Sequence, residues 1–554
     1  MKRLLPIALV ALVVVPLLAF GLYPMLVVLA QATRGLEALT EPASREALWA
    51  TLVLSGGATL LALLLGAPAA FALARCAVPG ARTLRTLLTL PSVVPPYLMG
   101  IAWLDLANPK NGLLNVLAGA TWVDIYTQLG IVWVLGLCFF PFVMLPVLTT
   151  LERMDASLEE SARLAGAGPW RVLRDITLPL AVPSIAAGAV LVFLAAAATF
   201  GVPYLLGTAG PQRIRVLTTA IVDHITVGGE SHLSQAMALS AALLVVSAAV
   251  TVLGGLASRG ERKYAIVSGK GARARPLVLS PQARRAVAGA LWAVVFVAVL
   301  LPLGTLLLVS ILRAWGAGFG PDNWSLDNYR RVLFENRHTL PSLANSLGLA
   351  TAAGLIAVVV GTLIAYLSSR KPGLATRALS ALAHAPYAVP GTVIALGLIL
   401  GWSRELRVIV LERLTLSLDL FSGLWALLAA YVVKYLAFGV RLAGSGLLQI
   451  DRALEEAART SGATRLAAAV DVVVPLLWPS LGAAWLLVFL PTLSEITMSI
   501  LLVGPGTPVV GTVLFELQSY ADPPSAAVLA VLLVALTLLG NAVLRRLTGG
   551  RGGF

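Results

Sequence analysis

Charge is scarce in this chain. Only 12% of its 554 residues are Asp, Glu, Lys or Arg, against 58% hydrophobic, whereas a soluble globular domain is about one-quarter charged. That excludes a soluble protein and leaves an integral membrane protein. Cysteine is nearly absent: Cys76 and Cys138 have neither metal-ligand nor disulfide spacing. Both lie in or at the end of apolar runs and read as packing residues. With four histidines and no ligand cluster, no metal site is expected. The nucleotide-binding pattern G-x-x-x-x-G-K-[ST] is missing, and its nearest fragment, Ser268-Gly269-Lys270-Gly271, lacks the hydroxyl and the strand context. The chain is therefore not an ATPase. Its net charge of +14 comes without basic tracts interleaved with aromatics, which argues against nucleic acid and for loops on the cytoplasmic face.

What the sequence does have is apolar runs. They lie near 4–30, 50–75, 86–107, 128–150, 182–207, 232–257, 287–313, 346–369, 383–402, 422–447, 478–503 and 525–547, and a spanning helix needs about 20 such residues. The first run, Leu4–Ala30, outlasts the roughly 7–15 apolar residues of a signal-peptide core and reads as a span. An N-terminus in the cytoplasm, with Lys2 and Arg3, puts most basic residues on that side. These include Arg75, Arg82, Arg85, the stretch Arg259–Arg285, Arg370, Lys371, Arg377 and the tail Arg545, Arg546 and Arg551. This is the positive-inside arrangement, and it places the C-terminus in the cytoplasm too. Arg404, Arg407 and Arg413, in the loop 402–421, run against it.

The chain also repeats itself. TLVLSGGATLLALLLGAPAAFALAR (51–75) aligns without gaps on SLGLATAAGLIAVVVGTLIAYLSSR (346–370), placing Gly66 on Gly361 and Arg75 on Arg370. Pro91 and Pro95 fall on Pro386 and Pro390. The expected organisation is a first half at 1–257, a cytoplasmic linker at 258–285 rich in basic residues, Gly and Pro, and a second half at 286–554. Six spans per half make the repeat parallel, about an axis along the membrane normal. The fold class expected is an all-α membrane protein of about twelve transmembrane helices in two six-helix repeats.

Two polar stretches break the apolar pattern at matching places. EESARLAGAG (159–168) and EEAARTSGAT (455–464) each follow the fourth span of their half on the cytoplasmic side. The spacing is Glu160-Ser161-Ala162, Gly166, Ile176, Leu178-Pro179 in one and Glu456-Ala457-Ala458, Gly462, Val472, Val474-Pro475 in the other. Small residues admit a close-packed partner, a glycine ends a helix, and a proline suits the entry to the next element. Identical spacing in two copies sets these stretches apart from ordinary solvated loops.

At these residues the chain resembles the permease subunits of binding-protein-dependent ABC importers, whose EAA loop has this pattern. Ser161 replaces the first Ala of the pattern, and Val472 and Val474 replace Ile and Leu. The resemblance implies an ABC importer permease fold in the bacterial inner membrane, with coupling loops near 157–180 and 453–476. It implies as partners two copies of a cytoplasmic ATP-binding subunit, a periplasmic or lipid-tethered solute-binding protein, and membrane lipids, with no nucleic acid. ATP and Mg would sit on the ATPase partners, and this chain would bind no cofactor. A secondary transporter of two six-span halves is the rival class, but the turn RCAVPGARTLR (75–85) has no acid of the kind its major class carries there.

For the cargo, FGVPYLLG (200–207), VLTTAIVD (216–223) and LSEITMSILLVGPGTPVVGTVLFEL (493–517) are similar to ferric-iron importers, with thiamine, phosphonate and polyamine as alternatives. Ionisable groups inside spans usually face a cavity or a partner. Glu495 leads as a pathway residue because a carboxylate suits a hard cation. His384 and Lys434 read first as structural groups, with Lys434 either pairing with Glu495 or holding a helix contact. Tyr387 and Tyr204 offer phenol oxygens, though packing or interface roles are as natural. The loop 314–345 is expected to form a small amphipathic helix near Leu326–Phe334 that helps seat a binding protein.

Overall fold

The computed structural model describes residues 14–208, 210–257, 279–370, 372–402, 406–411, 414–418, 423–504, 506–520 and 522–547. Most of the linker expected at 258–285 lies outside the described residues, as do Arg404 and Arg413.

Among the described residues ten helices are long and apolar enough to cross a membrane: α1 (Val14–Thr40), α2 (Pro42–Arg75), α5 (Gln128–Arg153), α7 (Trp170–Ala198), α9 (Glu230–Leu256), α10 (Pro281–Ser310), α11 (Thr339–Arg370), α14 (Trp425–Leu447), α16 (Arg465–Leu493) and α19 (Pro523–Leu547). Between them lie the shorter helices α6 (Ala156–Leu164), α8 (Leu217–Val227), α15 (Arg452–Thr460), α17 (Thr497–Leu502) and α18 (Val510–Ser519). Helices dominate because a spanning segment must satisfy its own backbone polar groups.

The other two apolar runs, 86–107 and 383–402, are not straight spans. The first is α3 (Ala81–Ser92) followed by α4 (Pro96–Ala107), bent by 97°. The second is α12 (Leu374–Ala388) followed by α13 (Gly391–Trp402), bent by 109°. A proline explains each corner, Pro96 in the first and Pro390 in the second, although the repeat places Gly391 opposite Pro96. A residue before proline is driven out of the helical region, and Pro95, before Pro96, has ψ 134° while Val389, before Pro390, has ψ 132°. The loop 402–421 carries a two-stranded antiparallel hairpin, β1 (Leu406–Leu411) with β2 (Leu414–Leu418), pairing Leu406 with Leu418. The short helix expected near Leu326–Phe334 forms as Asp327–Arg330 and continues into a wide turn over Arg331–Glu335.

Proline leaves a second signature inside α1, α7, α10 and α16. Each has a π-turn ending two residues before a proline: Leu17–Leu22 before Pro24, Leu173–Thr177 before Pro179, Phe296–Leu300 before Pro302, and Ala469–Val473 before Pro475. A helical proline lacks an N–H and clashes with the preceding turn, and widening that turn by one residue absorbs the misfit without breaking the helix.

The chain forms two compact units, and these are not the two sequence halves. One comprises 1–40, 221–241 and 326–553, and the other 41–220 and 242–325. Each is built on the same three helices, α2, α5 and α7 in one and α11, α14 and α16 in the other. The matched glycines explain the close packing: a Cβ on Gly66 would lie 2.6 Å from the Phe140 carbonyl oxygen, and one on Gly361 would lie 2.5 Å from the Gly439 carbonyl carbon. The first span of each half packs with the other half. Helix α1 lies along α13, with Trp402 Nε1 donating to the Ala19 carbonyl at 3.2 Å, and α10 lies along α3 and α4.

Candidate functional site

The two polar stretches fold identically, residue for residue, at an offset of 296. Asp155 and Asp451 cap the short helices α6 and α15, each carboxylate accepting from a backbone N–H two residues on, Ser157 at 2.9 Å and Ala453 at 3.0 Å. Such a cap replaces one of the partners a helix start lacks. Both helices end in a six-residue turn: Ala167 N–H donates to the Ala162 carbonyl and Ala463 N–H to the Ala458 carbonyl, at 2.9 and 3.0 Å. That turn needs a left-handed residue, and Gly166 and Gly462 supply it with φ 86° and 97°. The chain then enters α7 and α16 through their π-turns.

Glutamates that the spacing did not single out fix these helices in place. Glu159, one residue before Glu160, is buried. Its Oε1 accepts from Arg75 Nε at 3.1 Å and from the Thr177 hydroxyl at 3.0 Å, and its Oε2 from Arg163 at 3.4 Å. Glu455, one before Glu456, accepts from the Tyr366 hydroxyl at 2.6 Å and lies 2.8 Å from Arg370 Nε. The Arg370 N–H points off that oxygen, so the contact is Coulombic rather than a directed hydrogen bond. Each loop helix is thus tied to the last residue of its half's second span, Arg75 or Arg370. The signal was present in the sequence: the two arginines align, and both stretches begin Glu-Glu.

The residues chosen from the spacing mostly face outward. Glu160, Ser161, Gly166, Glu456, Ala457, Gly462 and Pro475 are exposed, and Ala162, Pro179 and Ala458 are half-buried. Apolar side chains stand out beside them at equivalent positions, Leu158 with Leu454 and Trp170 with Leu466.

The intramembrane groups singled out by residue type, Lys434, Glu495, His384, Tyr387 and Tyr204, are each engaged. Lys434 and Glu495 form no ion pair; Lys434 Nζ instead donates to the Val389 carbonyl at 2.9 Å. It thereby caps the backbone at the α12–α13 corner. The Glu495 carboxylate accepts from the Met498 N–H at 2.8 Å, the Ser499 N–H at 3.1 Å and the Ser499 hydroxyl at 3.3 Å, so it caps α17. Tyr431 shares a hydrogen bond with the same Ser499 hydroxyl at 2.8 Å. His384 is exposed, with Nδ1 2.7 Å from the Ser380 carbonyl. Tyr387 packs edge-on to Phe438 and Tyr204 stacks on Phe200. Among the described residues no group of three or more His, Cys, Asp or Glu is placed to hold a metal ion.

Comparison with known proteins gives this geometry a context. Residues 62–263 and 337–549 each match the family described as binding-protein-dependent transport system inner membrane component. The probable ABC transporter permease protein y4fN of Sinorhizobium fredii is 27% identical, covering 96% of this chain and 95% of that one. The Fe(3+)-transport system permease protein FbpB 2 of Haemophilus influenzae is 25% identical over 91% of this chain and 90% of its own length. The molybdenum transport system permease protein ModB of Escherichia coli is 33% identical over 38% of this chain and 92% of its own length. With that family matched twice, over most of its length, the chain belongs to the binding-protein-dependent transport system inner membrane components, the multi-pass permeases of ABC importers.

Proposed function

We propose that this permease couples ATP hydrolysis on two cytoplasmic ATP-binding subunits to import, through its two matching loops. The observation that carries the reading is the duplicated construction itself: cap, helix, left-handed glycine and π-turn in both copies, each tied by an Arg–Glu contact to a spanning helix. A loop built that way transmits displacement instead of absorbing it. Leu158 with Trp170, and Leu454 with Leu466, supply the apolar contact that each ATPase subunit covers. Closure of the ATPase dimer around ATP and Mg draws the loops together, and the halves move from inward-facing to outward-facing. A solute-binding protein delivers the cargo on the far side. The termini are cytoplasmic and the membrane is the bacterial inner one.

The cargo favoured is ferric iron. The support is the near full-length similarity to a permease named for Fe(3+) transport and the stretches at 200–207, 216–223 and 493–517. The similarity to ModB, named for molybdenum transport, and to a permease named for 2-aminoethylphosphonate transport keeps other cargoes within reach of the same test.

The test is gentle purification from native membranes, with mass spectrometry and metal analysis of what accompanies the chain. Two ATPase copies per chain and an iron-loaded binding protein are expected. Another solute with the same ATPase corrects the cargo alone. Recovery without an ATPase, under conditions that preserve other importers, refutes the coupling reading and favours a secondary transporter.

A further inference from the structure

Among the described residues two carboxylates within the apolar runs are buried, and they differ in one respect. Glu495 is spent on the N-terminus of α17. Asp105 is not: it is 3% exposed, and its Oδ2 has no hydrogen-bond partner among the described residues. It also sits in the last turn of α4, where the helix dipole presents its negative end. A carboxylate so placed is relieved either by a proton or by a positive partner.

The side chains at this end of α4 and on the segment packed against it carry oxygen. Asn108 follows on the same face, one turn on, and its Nδ2 donates to the Tyr126 hydroxyl at 3.3 Å. The Ile125 N–H donates to the Ala107 carbonyl at 3.2 Å, which holds the segment carrying Asp124 and Tyr126 against the end of α4; burial, then Asp124, then Asp105 push the Tyr126 phenol up. From surface to interior the order is exposed Asp124, half-buried Tyr126 and buried Asp105. The loop that carries this series is held firmly. Buried Asn115 donates to the Asn108 and Val123 carbonyls at 2.9 and 2.7 Å and accepts from the Trp122 and Val123 N–H groups at 2.8 and 2.9 Å. Tyr126 precedes α5 and the first coupling loop follows it, so the series lies at the opposite end of that span from the loop.

We infer that Asp105, with Tyr126, binds a hard, oxygen-seeking metal cation at the end of the first repeat remote from its coupling loop. A carboxylate, a phenol and a nearby second carboxylate suit such ions better than thiolate- or imidazole-seeking ones. The site has no twin, because Leu400 stands where the repeat would place a second acid. As a station on the transport path it rests on the permease reading; as a binding site it does not.

The experiment titrates Tb3+ into the purified full-length chain in nanodiscs, exciting tryptophan and tyrosine and reading terbium emission. Wild type is expected to give saturable emission, weakened at least tenfold in Asp105→Asn and severalfold in Tyr126→Phe. La3+ and Ca2+ are expected to displace Tb3+ at lower concentrations than Zn2+. Asp105→Asn exchanges an unpartnered acid for a neutral isostere, so folding is expected to survive; should it not, Tyr126→Phe decides. Wild-type affinity in the variants, no saturable emission, or displacement by Zn2+ first would overturn the assignment. The titration needs no nucleotide, ATPase or binding protein, so its failure and a failure of the import reading are separate results.

Discussion

Removing Arg75 and removing Arg370 should have unequal effects, although the two residues are equivalent by repeat. Arg75 and Glu159 are 4% and 3% exposed, whereas Arg370 and Glu455 are 15% and 12% exposed. Breaking a buried pair by removing one partner costs about 3–5 kcal/mol, because the other charge is left uncompensated. Thr177 and Arg163 still contact Glu159 in Arg75→Met, so the lower end, about 3 kcal/mol, applies. In Arg370→Met, Glu455 keeps the Tyr366 hydroxyl and is better solvated, which brings the loss near 1 kcal/mol. Those losses correspond to roughly 100-fold and roughly fivefold in an opening equilibrium. The assay is amide hydrogen exchange over Ala156–Leu164 and Arg452–Thr460 in the purified chain. Arg75→Met should loosen the first helix strongly and leave the second unchanged, while Arg370→Met loosens the second mildly. The double variant Arg75→Met with Glu159→Leu should recover much of the protection, since an apolar pair can replace a buried ionic one. Equal effects from the two single variants, or unchanged exchange in Arg75→Met, would refute the reasoning.

Three further expectations follow from local geometry. Gly166→Ala and Gly462→Ala each force a Cβ into the left-handed region at about 1–2 kcal/mol, and ATPase recovery on purification should fall for both. Glu495→Gln keeps an acceptor oxygen but loses the charge-assisted cap on α17, so thermal stability should drop by about 1 kcal/mol; an unchanged Tm would contradict the capping role. Tyr126 favours its neutral phenol in the fold, so its contribution to stability is complete below the ordinary phenol value of about 10 and is lost as pH rises above it. Absorbance titration should show Asp105→Asn lowering that phenol toward its usual value, and no change would place Asp105 too far away to matter.

Much of this architecture is legible in the sequence because bilayers impose long apolar helices and because duplication leaves aligned landmarks. The offset that pairs Gly66 with Gly361 and Arg75 with Arg370 predicts the matching close approach and the matching anchors. Pro95 and Pro390 mark the two corners, yet counting apolar residues alone reads 86–107 and 383–402 as straight spans, because hydropathy carries no direction. The EAA spacing points to Glu160 and Glu456, but the carboxylates that hold the loops are Glu159 and Glu455, and a one-residue step around a helix is about 100° of rotation. Glu495 looks like a pathway residue by type, and only the fold brings three donor groups to its carboxylate. Asp105 carries no such signal, because one acid within an apolar run gives no hint of whether it has a partner. The packing of α1 with α13 and of α10 with α3 and α4 has no periodic signature, since either half presents similar apolar faces.

That last feature bears on how the protein is made. While residues 41–257 leave the ribosome, the faces of α3 and α4 that α10 covers have nothing from their own half to cover them. Helix α1, synthesised first, waits some 350 residues for α13. Such long sequence separations slow assembly and lengthen the life of partly packed intermediates. Two identical copies at that stage could each lend an arm to the other, the route by which domain-swapped oligomers arise. Carrying both halves on one polypeptide keeps each missing arm tethered near its own acceptor, at an effective concentration set by the segment between them, and ensures that every first half is delivered with one second half.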